Sequence, residues 1–144
     1  MLRVLCKCWL FFALSMAVGC NSSEKLPITG NVSLQFVRMS PSGMHFRLAN
    51  QSNQPVSFRG TSEKGEGVSP WDTLLECRPP DSDVWQEGPF GLVDGGPATV
   101  AIPSGDQVDL LVGDKLVEKY KGGRCRLSLR LESGSFIKSN EFEP

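Results

Sequence analysis

Groups that carry out catalysis are scarce in this chain. It has a single histidine, His45, which falls at an outward strand position beside Arg47, where histidines commonly face solvent. The sequence contains no serine-hydrolase elbow, phosphate-binding loop, zinc-protease helix or calcium-loop spacing. Acidic residues cluster at Glu63, Glu66, Asp72 and Glu76, and again at Asp81, Asp83 and Glu87. Because such charges are usually solvated on loops and strand faces, we expect no enzyme, no metal ion and no cofactor.

The chain also lacks an excess of charge of either sign and a long apolar run. It has 15 Lys and Arg against 16 Asp and Glu, so it lacks the basic footprint of a nucleic-acid-binding protein and we expect no nucleic-acid partner. The longest uncharged apolar run extends only from Trp9 to Val18, whereas a transmembrane helix needs about 20 residues. At 144 residues the sequence has room for one folded domain.

The N-terminal residues follow the three-part order of a secretory signal segment. Arg3 and Lys7 precede the apolar run, and the small residue Gly19 follows it. A permanent transmembrane helix is the weaker interpretation because the run is short. An ordinary signal peptide followed by an incidental cysteine is the other alternative.

The four residues 17–20, Ala-Val-Gly-Cys, resemble the lipobox of bacterial lipoproteins, with Ala17 where Leu is more common. The resemblance implies that residues 1–19 are a cleaved signal peptide and that the Cys20 thiol receives diacylglycerol. Acyl chains such as palmitate, each buried methylene of which contributes about 0.8 kcal/mol, then hold the protein at a membrane. Because Asn21 resembles the residue of lipoproteins sent to the outer membrane, we expect a cell-envelope protein that is lipid-anchored to the outer membrane, on its periplasmic or surface face.

If the chain is a lipoprotein, as the lipobox resemblance implies, its five cysteines have different fates. Cys6 and Cys8 leave with the signal peptide and Cys20 carries the lipid, so Cys77 and Cys125 remain. Each of these two alternates with apolar residues, which points both thiols into the core. In a compartment where disulfides persist we expect them to be bonded, which stabilises the fold by about 4 kcal/mol in the chain-entropy model. Two reduced, buried cysteines are the alternative.

Short runs of alternating apolar and polar residues predict an all-β, antiparallel β-sandwich over residues 30–144, after a flexible tether at 20–29. The predicted strands cover 31–39, 44–50, 55–60, 71–77, 83–86, 98–102, 107–112, 124–131 and 136–142. Two polar, Gly-rich stretches, 61–70 and 88–97, are predicted to be long surface loops, the first of them mobile. Residues 113–121 fit either a single helical turn or a short strand.

Several stretches are similar to bacterial immunoglobulin-like domains. Residues 46–56, with their Asn-containing turn, resemble a strand-turn-strand unit, and Trp85 with the glycines after it, residues 102–105 and the terminal hairpin resemble the later half. This resemblance implies an immunoglobulin-like β-sandwich. Trp85 follows Cys77 closely, and Gly123 stands where a tyrosine corner would place Tyr, so the likeness is to a related sandwich rather than an antibody-type domain. Such folds host many functions, so the resemblance implies architecture alone.

The candidate partner-binding residues are a basic stripe and two aromatic residues. Arg124, Arg126 and Arg130 project from one face of the strand that carries Cys125, where they either bind an acidic partner or pair with carboxylates on neighbouring strands. Trp85 and Phe90 border the predicted loops, and exposed aromatic residues are common in recognition surfaces. Packing of these rings into the core is the alternative.

Together these features favour a non-enzymatic, membrane-anchored interaction module with an envelope protein as partner and loops 61–70 and 88–97 as contact surfaces. The alternative is an inhibitor of an envelope hydrolase, a protease or a lysozyme, that inserts a rigid loop into the active site. An enzyme would instead require a concave pocket near His45 lined by converging carboxylates.

Overall fold

A computed structural model describes residues 30–63, 67–88, 98–113 and 117–144. These residues form two β-sheets packed face to face, which confirms the predicted all-β sandwich. The strands are β1 (Gly30–Ser40), β2 (Gly43–Ser52), β3 (Val56–Glu63), β4 (Gly67–Pro70), β5 (Thr73–Arg78), β6 (Gln86–Glu87), β7 (Ala98–Ile102), β8 (Gln107–Val112), β9 (Arg124–Arg130) and β10 (Phe136–Lys138). In the described ranges no helix is long and apolar enough to cross a membrane. The predicted signal segment, Cys20 and the tether lie outside them.

One sheet has six strands in the order β1-β2-β8-β4-β3-β7. Alternation turns Leu34 and Phe36 of β1 toward the core, opposite Leu48 and Phe46 of β2. The register then shifts between Phe36 and Arg38, which leaves Val37 as a bulged residue with 46% of its surface exposed. All the pairs in this sheet are antiparallel except β4 with β8, which run parallel.

The predicted mobile loop at 61–70 is wrong for most of its length, because β3 continues to Glu63 and β4 begins at Gly67. The two strands pair antiparallel with Ser62 opposite Val68, while residues 64–66 lie outside the described part. Polar composition is misleading here because only Val68 and Pro70 of β4 face inward. Gly67 has a φ of 114°, and a Cβ atom there would lie 2.7 Å from the carbonyl oxygen of Asp109, so the close approach of β4 to β8 requires glycine.

The other sheet has four strands in the order β10-β9-β5-β6. Cys77 of β5 lies directly opposite Cys125 of β9, their Cα atoms are 4.1 Å apart, and the predicted disulfide joins them. Both residues are fully buried on the inner face. The bond therefore connects neighbouring strands of one sheet, whereas in antibody-type domains it connects the two sheets.

Two further predicted strands are shorter in the structure. The strand expected at 83–86 is limited to β6, because only Gln86 and Glu87 pair with β5. The strand expected at 136–142 ends at Lys138, after which Phe142 forms a single bridge to Cys125. In the segment 113–121 the described residues form a 3₁₀ turn at Glu118–Tyr120, which agrees with the helical alternative. The predicted loop at 88–97 lies outside the described part, apart from Gly88.

The core fills the space between the sheets, and one edge of it is closed by three phenylalanines. The rings of Phe36 and Phe142 stack with centroids 4.2 Å apart, and Phe46 meets both of them edge to face. The Phe142 ring is 4% exposed. The C-terminal segment is thus packed against β1 and β2 and covers the core at that edge.

Candidate functional site

The outer surface of the four-stranded sheet collects most of the residues that sequence analysis marked as candidates. Because side chains alternate along a strand, the burial of Cys77 and Cys125 turns their neighbours outward. We call this surface the basic face. Its charged and aromatic residues are Glu76, Arg78, Trp85, Glu87, Arg124, Arg126, Arg130, Phe136 and Lys138.

An ion-pair cluster lies at the centre of the basic face. Arg126 donates two hydrogen bonds to the carboxylate of Glu76, of 2.9 and 3.0 Å, and Lys138 donates a third of 3.2 Å. The Glu76 side chain is only 14% exposed, and the hydrogen bonds from Arg126 hold its pKa below the ordinary value. Arg126 therefore pairs with a carboxylate on the neighbouring strand, which is one of the two alternatives given for it above.

Trp85 lies against this cluster at the edge of the sheet. The guanidinium carbon of Arg126 is 4.1 Å from the centre of the Trp85 ring, and that of Arg78 is 5.2 Å away. Both distances are within the range of a cation–π contact. Trp85 is half-buried, so it neither belongs to the core nor stands free in solvent. It forms an ordered platform with the two arginines.

Positive charge is in excess on the basic face. Arg126 and Lys138 share one carboxylate, and Arg78 reaches Asp83 and Glu141 only at 3.8 Å. Within the described ranges, no carboxylate forms an ion pair with Arg124 or Arg130, and both are exposed. The whole chain carries a formal charge of −1. The strands of this face thus concentrate cations on a protein that is otherwise slightly acidic.

The structure brings the predicted residues together in part. Arg126 and Trp85 lie together at the centre of the basic face and Arg124 lies at one end, whereas Arg130 lies at the other end, with its guanidinium carbon 6.0 Å from the centre of the Phe136 ring. Phe90 lies outside the described residues.

Five members of the face were not predicted as binding residues, namely Glu76, Arg78, Glu87, Phe136 and Lys138. One signal could have found two of them. If Cys77 is opposite Cys125, then Arg78 must lie opposite Arg124 and Glu76 opposite Arg126, because antiparallel strands pair in register.

His45 lies in a different concavity, at the tip of the β1–β2 hairpin. Its Nε2 atom is 2.7 Å from the Ser40 hydroxyl, and a cleft of about 600 Å³ lies beside them. Among the described residues that line this cleft the only carboxylate is that of Asp109, and it accepts a 2.9 Å hydrogen bond from Arg47. The converging carboxylates that an enzyme at this position would require are thus not found in that lining. In the described part of the chain, no group of His, Cys, Asp and Glu is suited to a metal ion.

Comparison with known proteins adds no relative. No family model matches this chain, and neither a curated protein nor a solved structure is significantly similar to it. The class of protein that the structure itself defines is a β-sandwich.

Proposed function

We propose that this protein is a non-enzymatic binding module, held at the bacterial cell envelope by a lipid on Cys20, whose basic face binds an acidic segment of a partner protein. The observation that carries the proposal is the pairing of an ordered Trp85–arginine platform with two exposed arginines that lack carboxylate partners within the described residues. Tryptophan and arginine are the residues most enriched at the energetic centres of protein interfaces. Excess positive charge on one face attracts and orients an acidic partner.

We place the contact on the four-stranded sheet instead of the stretch 61–70, whereas contact by the loop 88–97 stays a prediction. Most of the stretch 61–70 is paired within the six-stranded sheet, and the stretch 88–97 lies almost wholly outside the described residues. The basic face also offers a side chain suited to direct contact, because Phe136 is 59% exposed. A rigid strand surface orders fewer groups on binding than a long loop does, so less entropy is lost.

Photocrosslinking tests the assignment of the surface. A benzoylphenylalanine at position 136 should give a discrete, light-dependent adduct in cells that make the protein natively. The matched control is the same residue at position 37, because Val37 is also an exposed apolar side chain but lies on the other sheet. The double variant Arg124→Glu, Arg130→Glu should lower the yield of the adduct.

Equal adducts from both positions, or a yield that ignores the charge reversal, would contradict the proposed surface. Mass spectrometry of the adduct identifies the partner, and a protease or lysozyme there would support the inhibitor alternative. The anchor is tested separately: the mature protein should begin at Cys20 and carry diacylglycerol, and the variant Cys20→Ala should remain unlipidated and uncleaved. An intact Met1 in the wild-type protein would contradict it.

A further inference from the structure

Two arginines lie directly opposite each other at one end of the basic face. Arg78 of β5 and Arg124 of β9 are register partners, and like charges in that arrangement destabilise a sheet. The nearest carboxylates relieve this repulsion poorly, because Arg78 is 3.8 Å from Asp83 and from Glu141. That distance is too long for a good charge-assisted hydrogen bond. Within the described ranges no carboxylate pairs with Arg124.

The backbone holds this pair of arginines in place. The next register pair along the ladder is Cys77 and Cys125, which the disulfide fixes with their Cα atoms 4.1 Å apart. Gly123 precedes Arg124, and a Cβ atom there would collide with the carbonyl oxygen of Arg78. Glycine therefore allows the two chain segments to approach closely at the point where both arginines emerge.

A cleft of about 260 Å³ opens between these segments. Arg78 and Arg124 line it, together with Pro79, Ser82, Asp83 and Gly122. Pockets for drug-sized ligands range from about 300 to 1,000 Å³, so this cleft is small for a whole cofactor. Its size suits the end of a single side chain or of a polypeptide.

We infer that this cleft binds one carboxylate group of the acidic partner segment, held between the guanidinium groups of Arg78 and Arg124. The inference rests on the proposed function and specifies where that partner is anchored. A bound carboxylate would neutralise the repulsion between the two arginines and accept paired hydrogen bonds from a guanidinium. Arg126 and Lys138 are less available for this role because Glu76 already accepts their hydrogen bonds.

Binding of a fluorescein-labelled hexaglutamate peptide to the detergent-solubilised full chain tests the inference. The variant Arg124→Gln should weaken binding about fivefold or more, because the peptide loses a charge-assisted contact. The variant Arg130→Gln also removes one exposed arginine of the basic face, and it should weaken binding clearly less than Arg124→Gln does, since it removes only long-range attraction to the peptide. Arg124→Lys keeps the charge but cannot form a paired contact, so its affinity should lie between those of the wild type and Arg124→Gln.

A second readout does not depend on variants. In the wild-type protein labelled with ¹⁵N, the peptide should shift the amide signals of Gly122 and Gly123 more than those of Ser133 and Gly134, which lie at the Arg130 end. Equal losses of affinity in Arg124→Gln and Arg130→Gln, or equal shifts at both ends of the basic face, would contradict binding in the cleft. Neither result would contradict the surface identified by crosslinking. Absence of any binding to the wild-type chain at low salt would contradict binding in the cleft as well.

Discussion

At the scale of single residues, one buried amide holds two turns together. Asn50 is fully buried near the C-terminal end of β2. Its Nδ2 group donates hydrogen bonds of 2.8 to 3.1 Å to the carbonyl oxygens of Gln54, Ile102 and Pro103. Its Oδ1 atom accepts hydrogen bonds from the amide and the hydroxyl of Ser52. Asn50 thus connects the β2–β3 turn to the β7–β8 turn.

Replacing this amide should destabilise the fold. We expect Asn50→Ala to lower the free energy of unfolding by about 2–3 kcal/mol, because three carbonyl oxygens, one of them buried, lose their donor at once. The control Asn31→Ala lies at an exposed position of β1 and should change the free energy by less than about 0.5 kcal/mol. Urea unfolding measures both, and equal midpoints for the two variants would contradict the role of Asn50.

The carboxylate of Glu76 makes stability depend on acid. Because the folded state lowers its pKa, its contribution is present above the ordinary glutamate value of 4.5 and is lost as the pH falls through the lowered value. We expect Glu76→Gln to cost about 1–2 kcal/mol at pH 7, since Arg126 loses a charged acceptor. The difference between wild type and variant should shrink steadily below pH 4.5. Exposed Glu143→Gln is the control, and a Glu76→Gln difference that is constant with pH would contradict the assignment.

At the scale of elements, the C-terminal segment is part of the core although it forms little regular strand. Beyond β10 it is held by the Phe142–Cys125 bridge, whose two hydrogen bonds are 2.8 and 2.9 Å long, and by the stack of Phe142 on Phe36. The packing of its ring thus adds to the backbone pairing that fixes this segment in place.

We therefore expect Phe142→Ala to lower the free energy of unfolding by about 3–5 kcal/mol, the usual cost of removing a buried phenylalanine. Phe136→Ala is a matched control, because that ring is 59% exposed whereas Phe142 is 4% exposed. It should cost less than about 0.5 kcal/mol. Thermal unfolding followed by circular dichroism distinguishes the two, and similar melting temperatures would contradict the packing argument.

Elements with strong local signals could be predicted from sequence, whereas those defined by distant partners could not. The strands at Ala98–Ile102 and Gln107–Val112 lie at their predicted bounds, because alternation and a Pro-Ser-Gly-Asp turn mark both ends. β4 was missed because only Val68 and Pro70 of its four residues face inward, so its composition is that of a polar loop although it pairs with β3 and β8. The arginine stripe of β9 could be predicted because the arginines alternate along the strand. Its partners Glu76 and Trp85 could not, because they depend on the pairing of β5 with β9 and with β6.

At the scale of the whole molecule, the Cys77–Cys125 bond closes a loop of 48 residues that includes β6, β7 and β8. The bond therefore restricts an unfolded segment whose residues belong to both sheets of the folded protein, although its two cysteines lie in one sheet. The chain-entropy model gives about 4 kcal/mol for a loop of this length.

The double variant Cys77→Ala, Cys125→Ala should be less stable than the wild type by about that amount, less whatever the smaller side chains change in packing. Urea unfolding with and without a reducing agent provides the measurement. The wild type should lose stability on reduction and the double variant should not. If the urea midpoint of the wild type does not change with the reducing agent, the alternative of two reduced, buried cysteines is favoured.

The bulge at Val37 has a consequence for how the length of this chain could vary. Phe36 pairs with Phe46 and Arg38 pairs with His45, so the hairpin keeps consecutive partners on both sides of the extra residue. A homologue with a deletion at that point would keep every backbone pair as a regular ladder, and the phenylalanine stack would stay in place. In an alignment of related sequences, a single-residue gap should therefore be tolerated at this position of β1. Gaps at the neighbouring paired positions should not occur, because they would shift the register.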